Sequence, residues 1–236
     1  MTRLHTRRRW LHAAGALAGA ALLPRLAIAD VPLDFERAVI RDNAKVMLEL
    51  LLRGADPNTR DTRGRPGMVA ALHRDSLRVF DVLMLAPGIR LDETSAQGES
   101  ALMMAALKGH LAIVRKLLER GAAVNKEGWN ALHYATSAAL PDSLAIVQLL
   151  VRKGAPVDAP SPNGTTALMM AAQYSSEDVV AQLLQYGADP LAKNQRGWTA
   201  VEFARQASRD YLVESLTRAQ QRKRSTQAQP QRRPGW

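Results

Sequence analysis

Catalysis needs a nucleophile, a base and an orienting group brought together, or a set of ligands gathered round a metal. The residues in this chain that could supply such chemistry are five histidines, at positions 5, 12, 73, 110 and 133, and two methionine pairs, Met103 with Met104 and Met169 with Met170. The chain has no cysteine, no His-x-x-x-His pair and no glycine-rich phosphate loop after a strand, so spacing supports neither a metal nor a nucleotide site. Paired thioethers could bind a soft metal or scavenge oxidant, but they equally fill irregular gaps in a packed core. Their setting, "ALMMAA" in both cases, favours packing, and the expectation is a protein without catalysis, cofactor or metal.

The same six letters at Ala101 and again at Ala167 also mark a period. Each copy follows a glycine, Gly98 or Gly164, and three more glycines precede similar runs: Gly64, Gly128 and Gly197. The steps between them are 34, 30, 36 and 33 residues, so the short and the long step cancel. Behind each run lies a second apolar segment. In "LAIVRKLLERGAAVN" the residues Ile113, Val114, Leu117 and Leu118 fall on one face of a 3.6-residue period, which places Leu117 and Leu118 in a core. The unit reads as a short helix, a turn, an amphipathic helix, a glycine closing it in the left-handed conformation, and a polar loop. Segments repeating at this period stack into one elongated core, because no single unit can bury its apolar face alone.

"GESALMMAALKGHLAIVRKLLERGAAVN", "RGADPN" at Arg53 and "YGADP" at Tyr186 resemble the ankyrin repeats over roughly residues 33–216. That family's Thr-Pro-Leu-His box survives in fragments: Leu132 and His133 in one unit, methionine at the histidine position in two others. The resemblance implies an all-α solenoid of about six helix-turn-helix units with β-hairpin-like finger loops. The first unit starts near Asp34, and the last begins at Gly197 and ends at "YLVESL" as a cap. It also implies that His110 and His133 bond neighbouring backbone, which leaves only His73 of the repeat region without a family role.

The formal charge of +10 is concentrated at the ends. Arg3, Arg7, Arg8, Arg9 and Arg25 precede the first acid, and Arg218, Arg222, Lys223, Arg224, Arg232 and Arg233 follow the last, leaving 21 basic against 22 acidic residues between. The start, "TRRRWLHAAGALAGAALLPRLAIAD", joins a basic stretch to an apolar run, Ala13 to Leu23, and a small-x-small site at Ala27 and Ala29. Eleven apolar residues are too few to span about 30 Å of hydrocarbon. Arg7 and Arg8 with Trp10 and Leu11 look like a twin-arginine export motif, which implies a bacterial, periplasmic protein cleaved between Ala29 and Asp30. An uncleaved surface anchor and a general secretory route are the alternatives. The organisation expected is a signal over residues 1–29, repeats over 30–217, and a basic tail without ordered structure over 218–236, too polar to bury surface. With no aromatics interleaved among its charges, the tail does not point to nucleic acid. "NGT" at Asn163 matches a glycosylation triplet, of no consequence in a bacterium.

What remains is a surface for another protein, on a chain expected to be monomeric with no integral membrane span. In the resembled fold the fingers and the exposed side of the inner helices form a concave binding face. Carried over, finger positions are Thr62, Arg63, Arg65, Gln97, Glu99, Trp129, Asn163, Thr165, Arg196 and Trp198. Inner-helix positions are Ile40, Arg41, His73, Arg74, Leu107, Lys108, Gln173, Tyr174 and Gln206. Tryptophan, tyrosine and arginine dominate interface energetics, which singles out Arg63, Arg65, His73, Arg74, Lys108, Trp129, Tyr174, Arg196 and Trp198; a tryptophan after the finger glycine can equally pack on its neighbours. Two further roles stay open: assembly factor for a co-exported enzyme, and adhesion of the basic tail to an anionic surface. Finally, the finger before Gly128 has lost three residues, while "TSAALPDSLAIV" has gained three between the helices of the same unit. That leaves a notch with Trp129 at its edge, or else simple drift in loops that tolerate such changes.

Overall fold

The computed structural model describes residues 31–228, which form twelve helices and no strand. They come as six pairs: α1 (Val31–Ile40) with α2 (Ala44–Leu52), α3 (Gly67–His73) with α4 (Leu77–Leu85), α5 (Ala101–Leu107) with α6 (Leu111–Glu119), α7 (Ala131–Ala135) with α8 (Ser143–Arg152), α9 (Ala167–Tyr174) with α10 (Glu177–Gln185), and α11 (Ala200–Gln206) with α12 (Asp210–Ala228). Odd-numbered helices pack on odd-numbered helices from α1 to α11, and among the outer row α2 meets α4 and α8 meets both α6 and α10. One apolar core therefore runs through all six units.

The repeated word occupies equivalent inner helices. Ala101 to Ala106 of α5 are all buried, and in α9 only Met170 of the corresponding six is partly exposed. Alanines let these helices approach closely, and Met103, Met104 and Met169 fill the space between them. In α6, Ile113, Val114, Leu117 and Leu118 form the buried face, as the period predicts. Inner helices start at side-chain caps, Ser100, Asn130, Thr166 and Thr199, each accepting a backbone N–H of its first turn.

Fingers are tight turns rather than paired strands. In four of them the first tip residue donates its N–H to the carbonyl four residues on (Asp61 to Arg65, Ser95 to Glu99, Ser161 to Thr165, Asn194 to Trp198), and the tip glycine donates back to that first residue. An isolated bridge between Arg60 and Pro66 is the most sheet-like feature among the described residues. Such tips need a positive φ, which Gly98 adopts at 79°.

The C-terminal expectation needs correction. The chain does not lose order at Arg218, because α12 continues to Ala228. Leu212, Leu216 and Ala219 are buried, and Gln220 Nε2 donates to Pro190 O and to Thr199 Oγ1, both at 2.9 Å. A helix nucleated on these contacts propagates cheaply through the Gln, Arg and Lys that follow. The expected signal segment with Arg7 and Arg8, the cleavage site at Ala29 and Asp30, and the last eight residues lie outside the described residues.

Candidate functional site

The nine singled-out residues divide into exposed, partly committed and buried. Arg63, His73, Arg74 and Arg196 are exposed, and Tyr174 is 47% exposed. Arg63 is placed by its backbone, whose N–H is held by Asp61 Oδ1 at 3.0 Å. His73 and Arg74 close α3, and Arg41 and Lys108 stand at the equivalent ends of α1 and α5. Lys108 Nζ reaches Asp75 at 2.7 Å, whereas Arg41, Arg63 and Arg74 have no ion pair among the described residues.

Arg65 is not a contact residue. It is 4% exposed, folded back so that its Nε donates to Asp61 Oδ2 at 2.8 Å while Nη2 lies 2.6 Å from the same oxygen. Asp61 Oδ1 meanwhile accepts the N–H groups of Arg63 and Arg65. Burial alone would raise the Asp61 pKa, but the Arg65 hydrogen bonds and charge outweigh it and hold the carboxyl below its ordinary value. Thr165, also expected at a finger surface, is buried, with its carbonyl turned to His133 of the preceding unit.

Both finger tryptophans are half-buried. Trp129 meets His133 edge-on, with ring centroids 5.3 Å apart, and Trp198 meets Phe203 likewise at 5.9 Å. The Arg196 guanidinium lies over Trp198, 5.6 Å from its centroid. Each indole thus packs with one side and leaves another to solvent.

His133 is a structural histidine. It is 1% exposed; Nε2 donates to Thr165 O of the next unit at 3.0 Å, while Nδ1 lies 2.9 Å from Asn130 Oδ1 and 3.4 Å from Asn130 N. Burial pushes its pKa below the ordinary 6.5, against the opposing pull of the Thr165 carbonyl. His110 instead meets a side chain, Asp75 Oδ1, at 2.9 Å, so the expected backbone bond is absent. Tyr134, half-buried beside Glu99 and donating to it at 3.3 Å, has its pKa pushed up to about 12, by burial first and then by the Glu99 charge. No group of three or more His, Asp or Glu among the described residues is placed to hold a metal.

The positioning residues were the least visible in the sequence. Asp42 and Asp75, in the turn between paired helices, adopt φ of 46° and 56°. From there Asp42 accepts from Val79 N and Arg78 Nε of the next unit, both at 2.9 Å, and Asp75 receives Lys108 and His110. Arg209 reaches Ala171 O at 3.1 Å, Ala172 O at 3.2 Å and Ser175 O, tying the last unit to the one before. Acids recurring in these turns, one period apart, were the available signal.

Comparison with known proteins agrees with this architecture. The family model for ankyrin repeats (3 copies) matches residues 35–122, 68–159 and 137–226. Poly [ADP-ribose] polymerase tankyrase of Caenorhabditis elegans is 37% identical over 70 residues, 28% of this chain and 3% of that protein. NF-kappa-B inhibitor alpha of Sus scrofa is 33% identical over 95 residues, 38% of this chain and 30% of that protein. The chain thus matches less than a third of either relative's length.

Proposed function

We propose, from the fact that this chain belongs to the ankyrin-repeat family, that it is a protein-binding module which performs no chemistry and holds its partner on the finger tips and inner-helix ends. The observation that carries this reading is the set of cations left without acids. Arg41 and Arg74 end successive inner helices, Arg63 stands on the finger between them, and none has an ion pair among the described residues. Exposed arginines beside His73 and half-exposed aromatics are the composition of an interface centre.

The protein is further proposed to act in the periplasm of a bacterium, exported through Arg7 and Arg8 and beginning at Asp30 after cleavage. The sequence pattern of the first 29 residues supports this. Replacing both arginines by lysine should leave precursor in the cytoplasm; normal export of that variant would return the assignment to a general secretory route.

A second reading draws on Arg222, Lys223 and Arg224, all exposed on the end of α12, which could hold an anionic surface. Capture from a periplasmic extract separates the two. Arg41→Glu with Arg74→Glu should abolish capture, and deletion of residues 221–236 should leave it intact. The reverse pattern would establish the tail as the adhesive element. If the captured protein is an enzyme inactive in cells lacking this chain, the role is that of an assembly factor.

A further inference from the structure

The loops that join successive units are held by a recurring bond that fails once. Asn58 Oδ1 accepts from Arg90 N–H at 2.8 Å, Asp92 Oδ1 from Ala123 N–H at 2.8 Å, and Asp158 Oδ1 from Asp189 N–H at 2.9 Å. Each acceptor stands four residues after the glycine following an outer helix (Gly54, Gly88, Gly154), and each donor stands two residues after the next such glycine (Gly88, Gly121, Gly187). The same count makes Asn125 the acceptor between the third and fourth units and residue 156 its donor. Residue 156 is proline, which has no N–H to give.

Asn125 is idle in a second way. With three residues missing from its finger, it is also first in the tip, three before Gly128. In the other tips Asp61, Ser95, Ser161 and Asn194 accept N–H groups of their own turn. Among the described residues the tip from Asn125 to Trp129 has neither those bonds nor the closing backbone pair.

There the surface opens into a groove of about 530 Å³, lined by Asn125, Lys126, Glu127, Pro156, Ala159 and Pro160 among others. That is within the usual size of ligand sites, about 300 to 1,000 Å³. One wall is apolar and stiffened by two prolines. The only charges on these lining residues, Lys126 and Glu127, cancel, so the site is matched to an occupant without net charge. The Asn125 carboxamide offers one acceptor and two donors, the complement of a peptide unit.

We propose that this groove takes an uncharged, extended segment of a partner polypeptide, one peptide unit of which pairs with the Asn125 carboxamide in place of the N–H that Pro156 lacks. A small apolar side chain of that segment rests on Pro156, Ala159 and Pro160. The inference builds on the protein-binding reading and narrows the partner's contribution there to main chain and apolar surface.

The test uses the full chain labelled with ¹⁵N, titrated with capped acetyl-Ala-Leu-Ala-amide and with the same peptide methylated on the leucine nitrogen. Expected are amide shifts at the Asn125 side chain, Gly128 and Ala159 with the first peptide, and affinity reduced at least tenfold for the methylated one. Pro156→Ala supplies the missing donor, so its new amide should be protected from hydrogen exchange and peptide affinity should drop at least tenfold. No shifts in the groove, equal binding of the two peptides, or an unprotected amide at residue 156 overturns the proposal. Should these arms fail while Arg41→Glu with Arg74→Glu still abolishes partner capture, the groove is excluded and the protein-binding reading stands.

Discussion

Position 133 shows how one slot is served by different chemistries. Five residues after the finger glycine the chain has Met103, His133, Met169 and Glu202 in successive units, and each faces the backbone N–H of the helix cap before it. His133 also bonds the next unit, which a thioether, having no donor, cannot do. His133→Met should therefore cost about 1 to 2 kcal/mol near neutral pH, read by urea melting. It should also flatten the acid dependence. Because the folded pKa is depressed, the neutral ring's contribution is complete above about pH 6.5 and is lost as pH falls below it. Wild type should lose stability between about pH 7 and pH 5 by more than the variant does; equal slopes would mean the ring titrates freely. The Asp61 and Arg65 pair gives a second residue-scale test. Arg65→Thr strands a buried carboxylate and should cost about 3 kcal/mol. Adding Asp61→Ser reproduces the Ser161 and Thr165 pair of another finger and should recover most of that loss. Sequence reading could not separate Arg63 from Arg65: both follow Asp61 on one tip, and which points outward is decided by the turn at Gly64.

Among the elements, helices were legible and their connections were not. The 3.6-residue period marks α6 directly, and Leu117→Ala, at a site with no exposure, should cost about 2 to 5 kcal/mol on denaturant melting. The three-residue insertion between α7 and α8 gave no such sign of its use. Its Leu140 lies against the turn of the preceding unit, where a Cβ on Gly109 would stand 3.0 Å from Leu140 Cδ1. Gly109 also has φ of 72°, so Gly109→Ala combines backbone strain with a clash. Gly121→Ala isolates the strain, since its φ is 88° and nothing lies within 4 Å of the added carbon. The first variant should be the less stable by about 1 kcal/mol or more; equal losses would show that Leu140 yields freely. Its contact was invisible in the sequence because Leu140 lies in a loop outside any helical period and stays 37% exposed even against the Gly109 turn.

At the scale of the whole molecule, contacts run between neighbours, so damage at Leu117 should raise hydrogen exchange in α4, α5, α7 and α8 before α1 or α12. The sequence revealed this organisation through its period and misplaced its end, since "RAQQRKRSTQA" contains no apolar stripe to announce a helix. Removing residues 221–236 should shift the unfolding free energy by less than about 0.5 kcal/mol, since among the described residues Gln220 makes the last hydrogen bonds to preceding units. The helical form of that segment also fixes its valency. Successive residues on a helix are turned by about 100°, so Arg222, Lys223 and Arg224 point in three different directions, and only Arg218 shares the azimuth of Arg222. Arg218 is already held by Glu214 at 3.0 Å, so a flat anionic sheet can be touched by about one free cation at once, whereas an acidic chain wound round the rod could reach Arg222, Lys223 and Arg224 in turn. Under the adhesive reading proposed for the tail, the rod would therefore discriminate by the curvature of what it meets, favouring a flexible polyanion over a plane.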